Sequence, residues 1–198
     1  IASVTSCDVI VDSSKSASYA MALARVPRVD LRIVQLVRDA RGAAYSWTKR
    51  VAKPEATSGY QVMDRYPPTV TAARWLKTDL LFLALRARGV PLLTIRYEDL
   101  IADMAGALRR ISDFAELPVR PGHLDLLGDA AVELAPTHTV AGNPSRFRTG
   151  EIRLKIDEKW RDALPLAQRL AVTGVAAPGL LRHGYLKPRS GRSARRPS

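Results

Sequence analysis

Residues 31–46, Leu-Arg-Ile-Val-Gln-Leu-Val-Arg-Asp-Ala-Arg-Gly-Ala-Ala-Tyr-Ser, constrain the fold of this chain more than any other stretch. Leu31 to Val37 is β-branched and almost continuously apolar, as expected of a central parallel strand. Asp39 then stands where a helix cap is favoured, and a helix rich in small residues is expected to about Val51. At the junction stands Arg38, with Ser46 eight residues on. A planar guanidinium at a strand end and a hydroxyl two turns into a helix can close on one phosphate. The amino end of the helix would add backbone N–H groups. The alternative is that Arg38 pairs with Asp39 or another neighbour and Ser46 is an ordinary helix serine. Arg41 reads as a solvated helix residue.

The remaining chain is expected to build a sheet under that junction. Cys7 to Asp12 reads as a short buried strand, followed by a Ser-Ser turn. Ser16 to Val26 is helical, with Ser13 or Ser14 as cap, and Pro27 ends it. Lys53 to Pro68, with Gly59 and three prolines, reads as a long loop of the kind that forms lids or binding elements. Thr69 to Arg88 is an amphipathic helix, Leu92 to Tyr97 a third strand, and Asp99 to Ala115 a further helix with Asp99 as cap. Pro121 to about Arg153 reads as loop with short helical pieces. Asp157 to Val172 is helical with a break at Pro165, and Pro178 to Tyr185 closes the fold. This β-α-β-α-α-β-α order predicts a three-layer α/β domain, a parallel sheet with helices on both faces. Ligands of such sheets bind beyond the carboxyl ends of the strands. Asp12, Arg38 and Tyr97 through Asp99 all fall there.

Composition narrows the partners. The net charge is +12, and five cations without an anion lie in residues 187–198, a basic tail expected to be disordered. About +7 remains on residues 1–186, the expected domain, which suits an anionic ligand. Only 6% of residues are aromatic, and no stretch interleaves them with Arg, so nucleic acid is not the expected partner. No apolar run reaches the roughly 18 residues needed to span a bilayer. The start, Ile1-Ala-Ser-Val-Thr, lacks the basic-then-apolar pattern of a secretory signal. The one cysteine, Cys7, reads as a buried small apolar residue. These features fit a cytoplasmic protein.

The motifs, in chain order, are Val11-Asp-Ser-Ser-Lys-Ser-Ala-Ser-Tyr19, Leu36-Val-Arg-Asp-Ala-Arg-Gly-Ala-Ala-Tyr-Ser46, Ile95-Arg-Tyr-Glu-Asp-Leu100, His138-Thr-Val-Ala-Gly-Asn-Pro-Ser-Arg-Phe-Arg148, Asp157-Glu-Lys-Trp160 and His183-Gly-Tyr185. Together they resemble the sulfotransferases that use 3′-phosphoadenosine 5′-phosphosulfate, most closely the carbohydrate type and its bacterial relatives. The resemblance covers nearly the whole chain. It implies the sulfotransferase version of the P-loop-like α/β fold and sulfuryl transfer to a hydroxyl or amine, without a metal. The acceptor would be a small molecule or a carbohydrate. Arg38 and Ser46 would then bind the 3′-phosphate of the donor, and Arg146 or Arg148 would fold a late basic loop over it. Lys15 would stabilise charge on the bridging oxygen as the sulfuryl group leaves. The bland readings are a surface lysine at a helix start and a solvated basic loop. Asp12 and Tyr19 read as cap and core residue. Glu98 is expected to pair with a buried arginine, and His138 is a surface histidine or a general base. Tyr60, Tyr66 and Trp75 are candidate walls of an acceptor pocket, and Trp75 is equally a core residue.

The resemblance also implies an amino-terminal strand and a Gly/Ser/Thr-rich loop for the 5′-phosphosulfate. No such run stands in these 198 residues. The expectation is therefore an amino-terminally truncated domain with negligible transfer by itself. The alternative function is a non-catalytic remnant that binds a nucleotide or an anion. A P-loop kinase relative would need a Gly-x4-Gly-Lys-Ser/Thr run, which is absent.

Overall fold

The computed structural model describes residues 7–52, 62–119, 122, 124, 127–128, 131–134 and 149–186. Arg146, Arg148, His138, Tyr60 and the tail from Lys187 lie outside the described residues. The elements, in chain order, are α1 (Ala17–Leu23), β1 (Ile33–Val37), α2 (Ala40–Ser46), α3 (Pro68–Ala87), β2 (Leu92–Arg96), α4 (Tyr97–Ala102), α5 (Met104–Ala115), β3 (Leu127–Gly128), β4 (Ala131–Leu134), β5 (Gly150–Arg153), α6 (Trp160–Ala163) and α7 (Leu166–Arg182). Among the described residues no helix is long and apolar enough to cross a membrane.

β1 and β2 pair in parallel, Ile33 opposite Leu92 through Val37 opposite Arg96, with α2 and α3 in the crossover. The arrangement is α/β. Ile33, Gln35 and Val37 turn inward, whereas Val34 and Leu36 are 40% and 52% exposed. The expected burial of β1 on both faces is therefore met on one face only. The inward polar residue is satisfied: Gln35 donates to Asp79 at 3.1 Å and accepts from the Thr94 hydroxyl at 3.2 Å.

A core of fully buried residues lies between helices. Ala40 and Ala44 of α2, Ala72 of α3, and Val172, Ala176 and Leu180 of α7 are fully buried together, with Trp75 and Tyr185 packed against them. Alanines bring the three helix axes close, so α2 is held by tertiary contact although seven residues alone would not stay helical. Gly179 serves the same closeness, because a Cβ there would stand 2.8 Å from Cη2 of Trp75. This packing also carries α7 straight through Pro178 to Arg182. An interior proline costs about 3 kcal/mol, less than the burial of one face of this helix returns.

Several expected boundaries move. Residues 7–15 form no strand: Val9, Ile10 and Val11 are exposed, and Asp12 accepts from Ser14 N at 2.6 Å in a local turn. An apolar run becomes a strand only beside a partner, and none pairs with it among the described residues. Cys7 is exposed rather than buried. Ser16, not Ser13 or Ser14, caps α1, accepting from Tyr19 N at 3.2 Å. The helix expected from Asp99 to Ala115 is broken at Asp103, whose side chain starts α5 by accepting from Gly106 N at 2.8 Å. Asp99 lies inside α4 and caps nothing. The segment expected to be loop with helical pieces holds β3, β4 and β5, a small antiparallel sheet. Strands of two to four residues are too short to show a period of two in the sequence.

Candidate functional site

Arg38 leaves β1 at its carboxyl end, and its backbone is fixed before its side chain is used. The Trp75 indole donates to Arg38 O at 3.1 Å. Gly42, one turn into α2, keeps the space beneath the guanidinium open, since a Cβ there would stand 3.4 Å from Arg38 Nε and 3.2 Å from Trp160 Cδ1. Arg38 then runs along α2. Its Nη1 donates to Ser46 Oγ at 3.3 Å, and its Nη2 donates to the Asp157 carbonyl at 3.4 Å. The Tyr97 ring, just past β2, lies 5.7 Å from the guanidinium carbon. The two strand ends thus deliver one cation and one aromatic ring to the same place.

Lys49 joins them. Beyond Ser46 the chain winds on, with Thr48 N donating to Tyr45 O and Lys49 N to Ser46 O. That extra turn puts the lysine ammonium 4.5 Å from the centre of the Tyr45 ring and 3.0 Å from Asp157 Oδ2. Arg38 Nη2 is 3.9 Å from the same carboxylate oxygen. Lys49 holds the Asp157 carboxyl below its usual range; the Lys159 N–H and Arg38 pull in the same direction, against partial burial.

A second layer supports this cluster. Asp39 caps α2 by accepting from Arg41 N at 2.9 Å, so that N–H is not offered to a ligand. The Arg41 guanidinium donates back to Asp39 through both Nε and Nη2, at 2.9 and 2.7 Å. It also donates to Tyr185 O at 3.1 Å and lies 4.6 Å from the Trp160 ring centre. Arg41 is a structural clamp, not a solvated residue. Glu98 is buried, and its hydrogen-bond partners among the described residues are the Tyr185 hydroxyl at 2.7 Å and Asp39 N at 3.4 Å, with no arginine among them. Burial, followed by the hydrogen bond to Glu98 and then the Glu98 charge, drives the Tyr185 phenol far above its ordinary pKa.

Arg38 also lines a cleft of about 540 Å³. Lys15, Arg38, Trp47, Tyr66, Arg74, Trp75 and Asp79 are among its walls. Lys15 sits in the left-handed region (φ 62°), which turns the chain sharply ahead of α1. Trp47 and Tyr66 meet with ring centres 5.4 Å apart, and Arg74 lies 3.9 Å from the Tyr66 ring centre. Asp79 is the one carboxylate among the lining residues, and it is committed. It accepts from Arg182 at 2.8 Å and from Gln35, and it bonds the His183 ring at 2.8 Å. Burial alone would raise its pKa, but His183, Gln35 and Arg182 outweigh that and hold it low.

The structure therefore brings Arg38, Ser46 and Lys15 to one region and leaves Asp12 in its own exposed turn. Lys49, Asp157, Glu98 and Tyr185 were not assigned to the site from sequence. The signal for Lys49 was available, one turn beyond Ser46; the others come from distant positions.

A family model described as a sulfotransferase domain matches residues 15–175, most of the chain. The chain belongs to the sulfotransferase family. The match begins at Lys15 and contains Arg38, Ser46, Lys49 and Asp157. No curated protein and no solved structure matches the chain significantly. For a sulfotransferase domain, a cleft flanked by Arg38 and Lys15 is chemically apt, because sulfuryl transfer moves an anionic group from an anionic donor.

Proposed function

We propose that this chain supplies the 3′-phosphate half, and Lys15, of a sulfotransferase site that binds 3′-phosphoadenosine 5′-phosphosulfate and transfers its sulfuryl group to a hydroxyl or amine of a small molecule or carbohydrate. The observation that carries this reading is the 3.3 Å approach of Arg38 to Ser46, at the end of β1 and beside the cleft that Lys15 lines. A 3′-phosphate set against both side chains would take a donor from each, with Tyr97 as a flat wall beside it. Arg146 and Arg148 would supply further charge. In the transfer the acceptor oxygen or nitrogen forms a bond to sulfur in line with the breaking bond to the bridging oxygen. Lys15 neutralises the charge that collects on that oxygen, and the donor leaves as the 3′,5′-bisphosphate. The acceptor proton passes to a base, and Asp79 is not suited to that role because three partners already occupy its oxygens and lower its basicity. The committed state of Asp79 also favours a second reading, in which the chain binds the nucleotide without transferring the group.

The accompanying architecture is a three-layer domain with β1 and β2 inside a larger parallel sheet. The half-exposed Val34 and Leu36 support it, since a central strand covers both faces.

Calorimetry with adenosine 3′,5′-bisphosphate tests the site. Arg38→Ala is expected to weaken binding by at least about tenfold, the loss of a charge-assisted bidentate donor. Equal affinity of the parent chain and the variant would remove the phosphate assignment. Transfer of labelled sulfate to a panel of hydroxyl and amine acceptors then separates the two readings.

A further inference from the structure

We propose that Lys49 is a third donor to the phosphate bound by Arg38 and Ser46, and that the Asp157 carboxylate is a resident competitor which this phosphate must displace. The inference rests on the donor-binding reading above and adds two residues with opposite effects on it.

The argument starts from one oxygen. Asp157 Oδ2 lies 3.0 Å from Lys49 Nζ and 3.9 Å from Arg38 Nη2. It occupies the position between two cations where an anionic oxygen of a ligand is held best. Oδ1 of the same carboxylate accepts from Lys159 N at 3.1 Å, a bond that belongs to the turn before α6. The carboxylate thus has a structural half and a half that faces the site. The side chain is 29% exposed, so the carboxylate can turn toward water without leaving a buried charge behind.

Lys49 is held ready for a ligand. Its ammonium lies against the Tyr45 ring, in the turn that continues the chain beyond Ser46. Arg38, Ser46 and Lys49 then present a fork, a hydroxyl and a point charge to a shared space. Against two cations a single carboxylate leaves one positive charge uncompensated. A phosphate monoester carries about −1.5 to −2 and three acceptor oxygens, so it satisfies both cations and the hydroxyl at once. Asp157 therefore lowers affinity for every anion at this position by the same factor, the cost of moving its carboxylate aside. The preference for a phosphate monoester over a carboxylate or a sulfate monoester comes from the two cations, which its second charge matches.

The test is calorimetric titration of the whole chain with adenosine 3′,5′-bisphosphate and with adenosine 5′-monophosphate, which lacks the 3′ group. Lys49→Ala is expected to weaken bisphosphate binding about tenfold and to leave the 5′-monophosphate unchanged. Lys49→Arg, which keeps the charge, is expected to recover most of the loss. Asp157→Asn retains an oxygen for Lys159 N, and it is expected to tighten bisphosphate binding about threefold or more. A weaker Asp157→Asn complex would mean that the carboxylate positions Arg38, and it would overturn the proposal. Unchanged affinity in either Lys49→Ala or Asp157→Asn would overturn it too. Arg38→Ala separates the levels. If Arg38→Ala abolishes binding while the other variants behave as the parent, this inference fails and the donor site stands. If Arg38→Ala binds as the parent, the donor site itself fails.

Discussion

Removing the Tyr185 hydroxyl should cost more than its small size suggests. In the folded protein it lies 2.7 Å from Glu98 Oε2 and 3.0 Å from Val37 O. A phenol has one proton, and the carboxylate is the stronger acceptor. Glu98 is 8% exposed, and its remaining partner among the described residues is Asp39 N at a long 3.4 Å. Tyr185→Phe keeps the ring against Arg96, whose guanidinium carbon lies 4.2 Å from its centre, and removes only the donor. A hydrogen bond to a charged group contributes about 1.5–3 kcal/mol, and an under-satisfied buried acceptor adds to the loss. The expected destabilisation is about 2–4 kcal/mol, or roughly 5–12 °C in Tm for a chain of this size. Urea unfolding at pH 7 measures it. The pH dependence gives a second readout. The phenol pKa is raised in the folded state, so its contribution is complete below the unfolded value near ~10 and is lost as pH rises beyond it. The gap between parent and variant should be flat from pH 7 to 9 and should close above pH 10. A loss below about 0.5 kcal/mol, or a gap that ignores pH, would refute the account of this layer.

Gly179→Ala should destabilise by about 1–3 kcal/mol, because the added methyl overlaps the Trp75 ring and lies 2.9 Å from Asp79 Oδ2. Trp75 holds Arg38 O, so bisphosphate affinity should fall in the same variant; a stable variant with unchanged affinity would show that Trp75 does not position the site. Asp79→Asn should cost about 3–5 kcal/mol at neutral pH, since it leaves Arg182 and His183 facing an amide. The Asp79 pKa is lowered on folding, so the parent's advantage is present above about pH 4 and is lost as pH falls through the folded value. Thermal melts of both proteins from pH 7 to pH 3 should converge at the acid end, and parallel melts would contradict the assignment.

Local rules made the centre of this protein readable. A β-branched run favours a strand, Asp at position 39 favours a helix start, and eight residues then separate Arg38 from Ser46 by about the reach of a guanidinium. Those distances follow from backbone geometry, so the chain alone determined that the two side chains can meet. The same locality explains the misread segments. Val9 to Val11 has strand chemistry without a described neighbour, and Pro178 has breaker chemistry inside a helix whose packed face outweighs it. Tertiary structure alone decided who else meets at the junction. Asp157 stands 108 residues from Lys49, and Tyr185 stands 87 residues from Glu98. Nothing in the spacing of either pair encodes a contact. The close approach of α2, α3 and α7 on an alanine-lined core brings the carboxyl-terminal part of the chain back against the strand end. It turns Arg41 from a presumed surface cation into a clamp and sets a carboxylate between the two cations that face the phosphate position.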